Sequence, residues 1–127
     1  AELVVGSCGH RTGGTLVVAC HPTKQQCITA SFGGEVRAWG LDTRKLLASE
    51  FLVGRTCNCI DYAPQGETAA LGLSDGSISI VDSSTLVPTD EQPEKLTEVG
   101  GVCALKFSGQ VGGLLACASD EGSIEFF

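Results

Sequence analysis

Residues 15–43 (TLVVACHPTKQQCITASFGGEVRAWGLDT) return in outline at residues 57–85 (CNCIDYAPQGETAALGLSDGSISIVDSST). The order of features is kept: apolar run, Pro turn, apolar run, Gly turn, apolar run. Superposing the two places Pro22 on Pro64, Gly34 on Gly76 and Trp39 on Val81, an offset of 42 residues. A third copy, residues 102–127, places Gly122 on Gly76 at an offset of 46 and ends with Phe127 in the slot of Trp39 and Val81. A chain that repeats itself must fold as one supersecondary unit made several times over.

A repeat of about 40–45 residues carrying several short strands points to the blades of a β-propeller. With 17 glycines and no methionine among 127 residues, the chain is predicted to be all-β, with tight turns between short runs. Both faces of the first run in each copy are mostly uncharged: Leu16, Val18 and Cys20 against Val17 and Ala19; Asn58, Ile60 and Tyr62 against Cys57 and Cys59; Cys103, Leu105 and Phe107 against Val102 and Ala104. Asp61 and Lys106 are the exceptions. Sheets apolar on both faces must be covered on both. A two-layer sandwich is the competing architecture, but it does not explain the 42-residue echo.

The expected organisation is a closing strand of a preceding blade at 1–8, a first blade at 9–53, a second at 54–99 with an acidic loop at 86–95, and a third at 100–127 without its last strand. Strands are predicted at residues 16–20, 26–31, 35–39 and 46–52, then at 57–62, 68–73, 77–81 and 96–99, consecutive and antiparallel. Two-residue hairpin loops are expected at Gly33-Gly34, Asp75-Gly76 and Glu121-Gly122. The segment 88–95 (PTDEQPEK) is polar and proline-punctuated, and reads as a mobile surface excursion. An open stack leaves two apolar faces in water. Either the remaining blades of the same protein or partner chains are expected to cover them.

These features resemble WD-repeat β-propellers, in which Gly-His precedes the first strand and Trp-Asp ends the third. Gly9-His10 matches the first signature, and Trp39 matches the second in its Trp alone. Val81-Asp82 keeps the Asp, and Gly54-Arg55 stands where Gly-His belongs. The family's hydrogen-bonded tetrad of His, Ser/Thr, Asp and Trp needs a turn aspartate. The first copy has Gly33 there, whereas Asp75 fills the slot in the second without a His or Trp. Gly9, His10, Trp39, Asp75 and Asp82 are thus the structural signature that the resemblance implies. The run 59–82 is similar to the echinoderm microtubule-associated-protein-like family, which implies a noncatalytic, cytoplasmic or cytoskeletal scaffold with tubulin or microtubules among its partners. A generic adaptor in a ubiquitin ligase, trafficking or ciliary assembly is the other function considered.

Charge bears on the partner. Residues 1–55 carry six Lys/Arg against four acids and residues 56–127 carry two against eleven, balances of +2 and −9. Nucleic-acid binding, which rests on clustered cations, is not expected. Contact with acidic tubulin surfaces would have to use the basic first part. No run approaches the roughly 18 apolar residues of a membrane span. Seven cysteines are an odd number, mostly within apolar runs, which suits free thiols in a reducing compartment.

No cofactor, metal or catalytic group is expected. The histidines, His10 and His21, read as structural, and Cys57-x-Cys59 lacks zinc spacing, with alternation placing both thiols on one strand face. Recognition is therefore expected at the end of the stack where the loops before each first strand meet the hairpins after each second strand. Arg11, Phe32, Arg55, Ser74 and Asp120 are the candidate partner-binding residues, with the aromatic hairpin residue Phe32 the foremost.

Overall fold

The computed structural model describes residues 14–90, 92, 100–109 and 113–127. Three antiparallel sheets account for the described strands. The first holds β1 (Thr15–Cys20), β2 (Gln26–Ser31), β3 (Glu35–Gly40) and β4 (Lys45–Phe51) in sequence order. The second holds β5 (Cys57–Tyr62), β6 (Thr68–Leu73) and β7 (Ile78–Asp82), and the third β8 (Val102–Phe107), β9 (Leu115–Ser119) and β10 (Ile124–Phe126). Each apolar run of the repeat has become a strand, and each Pro or Gly interruption a turn. The closing strand expected at 1–8 and the strand expected at 96–99 lie outside the described residues.

The leading strands converge, with β5 packed against both β1 and β8. Sheet two is thereby sandwiched. Toward sheet one it presents Ile60, Tyr62, Ala69, Leu71, Leu73 and Val81, which meet Ile28, Ala30, Val36 and Ala38. Toward sheet three it presents Cys59, Ala70 and Ile78, which meet Val102, Leu105, Leu115 and Cys117. Alternation along β6 sends odd-numbered residues one way and even-numbered residues the other, as a strand covered on both faces requires. Full burial of side chains such as Ile28, Val36 and Leu73 contributes about 1.5–3 kcal/mol each. The outward faces are another matter: Val18 is 60% exposed on the first sheet, and Ile124 and Phe126 are 67% and 65% exposed on the third.

One expectation fails in an informative way. Register shifts fall between Thr15 and Val17, between Cys57 and Cys59, and between Val102 and Ala104, so all three leading strands open with the same bulge. The extra residue breaks alternation. Cys57 consequently joins the core toward sheet one and Cys59 the core toward sheet three, rather than sharing a face.

The hairpins also differ from the expected two-residue loops. Leu73 N–H donates to Ser77 O, and Gly76 N–H to Leu73 O, which leaves three loop residues between the paired positions. Ser119 and Ser123 repeat the arrangement. In each loop only the last residue, Gly34, Gly76 or Gly122, lies at positive φ (89°, 89° and 97°). That is the three-residue hairpin in which glycine supplies the left-handed position.

The free edge of β7 is occupied without a regular strand. Ile80 N–H donates to Gln92 Oε1 (2.9 Å), while Ile80 O accepts from Gln92 Nε2 (2.7 Å) and Thr89 N (2.9 Å). The side-chain amide thus does what a neighbouring peptide group would do. Leu86 is buried in the core between sheets one and two, and Val81 bridges to Pro88. The first part of the expected acidic excursion is therefore held against the sheet, because Leu86 has a core site and β7 has unpaired backbone groups to satisfy.

Gly72 sets the spacing between sheets two and three. A Cβ there would overlap Cys59 Sγ and stand 2.6 Å from Val102 Cγ1 and 3.0 Å from Leu105 Cδ2. Gly72→Ala is expected to cost about 1–3 kcal/mol through overpacking. Gly14→Ala, where a Cβ meets nothing within 4 Å, should stay within about 0.5 kcal/mol. Urea midpoints of the two variants against the parent chain check this.

Candidate functional site

The three-residue hairpins are tied by backbone bonds to the turns before the leading strands. Phe32 N–H donates to Gly14 O (3.1 Å), Ser74 N–H to Thr56 O (2.9 Å) and Asp120 N–H to Gly101 O (3.0 Å). Three sequence-predicted residues, Phe32, Ser74 and Asp120, occupy equivalent places in the three sheets, at one end of the stack. Their side chains act differently. Ser74 Oγ accepts from Thr56 N (3.0 Å) and Asp120 Oδ1 from Gly101 N (3.0 Å), so both brace their own hairpin. Phe32 is 64% exposed and projects from its loop.

Arg55 has a structural partner. Its Nη1 donates to Ser77 Oγ at 3.2 Å and lies 3.7 Å from Asp75 Oδ2. Asp75 Oδ1 in turn accepts from Ser77 N (3.0 Å) and Ser77 Oγ. An Arg–Asp pair thus stands where the resemblance implies a His–Asp one; Ser77, which corresponds to Glu35, joins it from the hairpin, and Leu71 stands in the slot of Thr29. In the first sheet the other half survives: Trp39 Nε1 donates to Thr29 Oγ1 (2.8 Å), and the Arg37 guanidinium lies 5.8 Å from the indole centroid. Asp82 Oδ1 accepts from Ser84 N (2.9 Å) and Thr85 N (3.0 Å), and those bonds hold its carboxyl below the usual range. Gly9, His10 and Arg11 lie outside the described residues.

Beside Phe32 runs a groove of about 300 Å³ whose lining includes Phe51, Leu52, Arg55 and Thr56. Phe51, at the end of β4 and 59% exposed, was not among the candidates. A strand-terminal aromatic reads from sequence as core, and only its register opposite Glu35 brings it to this end.

His21, Cys57, Cys59 and Cys117 are occupied or buried, whereas the thiols of Cys20 and Cys103 are exposed. His21 Nδ1 accepts from Thr23 N (3.1 Å) and Lys24 N (2.9 Å), and its ring packs on Gly66 and on Tyr62, 5.1 Å between centroids. Burial pushes the Cys57 thiol up to about 12, reinforced by Cys59; burial does the same to Cys59, with Cys117 and Cys103 contributing. Burial raises Cys117 to about 11. Thiols held protonated at neutral pH are poor nucleophiles and poor metal ligands. Among the described residues, no group of three or more His, Cys, Asp or Glu could hold a metal ion, and no helix is long and apolar enough to cross a membrane.

This architecture is that of a WD40 β-propeller segment, with three sheets that do not close a ring. The crystal structure of the C-terminal WD40 domain of Sif2 superposes with a TM-score of 0.74 at 19% identity, over 93% of this chain and 34% of that one. The computationally designed Ika4 protein superposes with a TM-score of 0.75 at 17% identity, over 94% and 68%. No protein-family model matches the chain. Among curated proteins, mouse cilia- and flagella-associated protein 251 is 27% identical over 82 residues, 64% of this chain and 6% of that protein. The protein of that name from Pongo abelii is 25% identical over 92 residues, 72% and 8%. Mouse telomerase protein component 1 is 30% identical over 108 residues, 84% and 4%. The chain spans less than a tenth of the length of each of these curated relatives.

Two outcomes follow from the thiols. Alkylation of the native chain at pH 8, mapped by mass spectrometry, should label exposed Cys20 and Cys103 well before buried Cys57 and Cys117. Unfolded thiols ionise near pH 8.5. Burial raises the folded values, so the stability contributed by the neutral thiols is complete below about pH 8.5 and is lost as pH rises toward the folded values of about 11 and 12. The urea midpoint should fall from pH 8 to pH 10, and fall less in a Cys57→Ala/Cys59→Ala variant.

Proposed function

We propose that the chain is a segment of a noncatalytic protein-interaction scaffold of the WD-repeat kind, working within a cilium- or flagellum-associated assembly. The observation that carries the interaction face is Phe32, whose equivalents Ser74 and Asp120 brace their hairpins while its own ring faces solvent. A large aromatic exposed at a rigid turn costs stability in isolation and contributes when a partner buries it. The ciliary setting rests on the relatives named for cilia and flagella. Further blades, from the same polypeptide or another, would cover the outward faces that hold Val18, Ile124 and Phe126.

A second reading, direct contact with microtubules, draws on the resemblance of residues 59–82 and on the basic first part of the chain. The acidic second part opposes it, since like charges repel across an interface. Co-sedimentation with polymerised tubulin across a salt series separates the two: a scaffold that reaches microtubules through other proteins should stay in the supernatant once purified, at every salt concentration. Phe32→Ala should weaken capture of partners from a ciliated-cell extract at least fivefold without lowering the melting temperature. Undiminished capture would remove the assignment of this face.

A further inference from the structure

We propose that the hairpin end carries a polarised docking ridge for an extended peptide, in which an apolar or aromatic partner side chain seats between Phe32 and Phe51 and neighbouring basic residues lie over Asp120 and Glu121. This rests on the reading of that end as an interaction face and adds the chemistry of what binds there.

The ridge is continuous. A Cβ on Gly34 would stand 2.7 Å from Leu52 O and 2.9 Å from Arg55 O, so the first hairpin abuts the turn entering the second sheet. A Cβ on Gly101 would stand 2.7 Å from Ser74 O, so the second hairpin abuts the turn entering the third. Glycine at both junctions lets successive tips touch. One extended peptide can therefore cross from sheet one to sheet three without bridging a gap.

The chemistry changes along this path. At the first sheet the groove has two largely exposed phenyl rings, Phe32 and Phe51, and Leu52 in its lining. Arg55, its charged lining residue, is already paired with Asp75 and so offers a partner carboxylate little net charge. Beyond it the third tip is acidic: Asp120 and Glu121 are exposed, and no Lys or Arg pairs with either among the described residues. Asp120 spends one oxygen on Gly101 N–H and keeps the other for a ligand. The net charge of −9 over residues 56–127 also favours a cationic partner. An apolar residue with basic neighbours is what complements this ridge.

The test uses fluorescence anisotropy with three labelled peptides: Phe-Gly-Ser-Lys-Arg-Lys, the same with Glu-Asp-Glu as its last three residues, and the first with Ser in place of Phe. The basic aromatic peptide should bind at least tenfold tighter than either of the others. Its affinity should fall at least fivefold with Phe32→Ser, with Asp120→Asn/Glu121→Gln, and on raising NaCl from about 50 to 300 mM. Asp120→Asn keeps an oxygen for Gly101 N–H, and circular dichroism melts confirm that each variant folds. If the acidic peptide binds at least as tightly and still depends on Phe32, the proposed polarity is overturned while the interaction face stands. If no peptide responds to Phe32→Ser, the groove is overturned, and the capture experiment with Phe32→Ala decides separately whether the face survives.

Discussion

Burial of a sheet on both broad faces is the constraint from which the rest of this structure follows. A strand alternates its side chains between two faces, so a run such as Ala69–Leu73, which carries no polar side chain, cannot sit at a surface. It needs a neighbour on each side, and the sequence supplies neighbours by repeating itself. The contact is asymmetric in a way that helps. Around Gly72, sheet two offers the third sheet a shallow surface built from Ala70 and Cys59, flanked by the bulkier Ile78, and the third answers with Val102, Leu105 and Leu115. Small against bulky lets two sheets close to native packing density without voids.

That packing also determines where the proposed interaction end lies. Because β5 approaches both β1 and β8, the leading strands converge, and the same bulge at the start of each turns the chain into the strand. The turns before the bulges are then pinned to the hairpins by one backbone bond apiece. A face assembled from pinned loops on rigid sheets holds its side chains in place before any partner arrives, which lowers the entropy cost of recognition. The Arg55–Asp75–Ser77 network belongs to that bracing, so the arginine works first as a strut.

Much of this was legible in the sequence, and what was not has identifiable causes. Strands β2, β5, β6 and β8 fall where the apolar runs place them, because both their ends are marked by Gly, Pro or polar residues. The bulge at Cys57–Cys59 left no trace, since an apolar pair reads alike whether its members share a face or oppose each other. Hairpin loops came out one residue longer than expected because in Gly33-Gly34 only the second glycine takes positive φ, a choice the dipeptide does not reveal. The Gln92 cap on Ile80 joins residues twelve apart through a side-chain amide and follows no periodicity. At the candidate site, the equivalent places of Phe32, Ser74 and Asp120 were legible from their slots in the repeat, whereas that of Phe51 was not, because it sits outside the repeated pattern.

If double-sided burial holds the molecule together, resistance to opening must be concentrated in its middle. Amide hydrogen exchange followed strand by strand measures this directly. The β6 amides, Ala69 to Leu73, should exchange only through global unfolding, and those of β4 and β10 at the periphery about a hundredfold faster or more. Exchange in β6 as fast as in β4 would mean that the second sheet is not clamped between its neighbours, and would contradict this account.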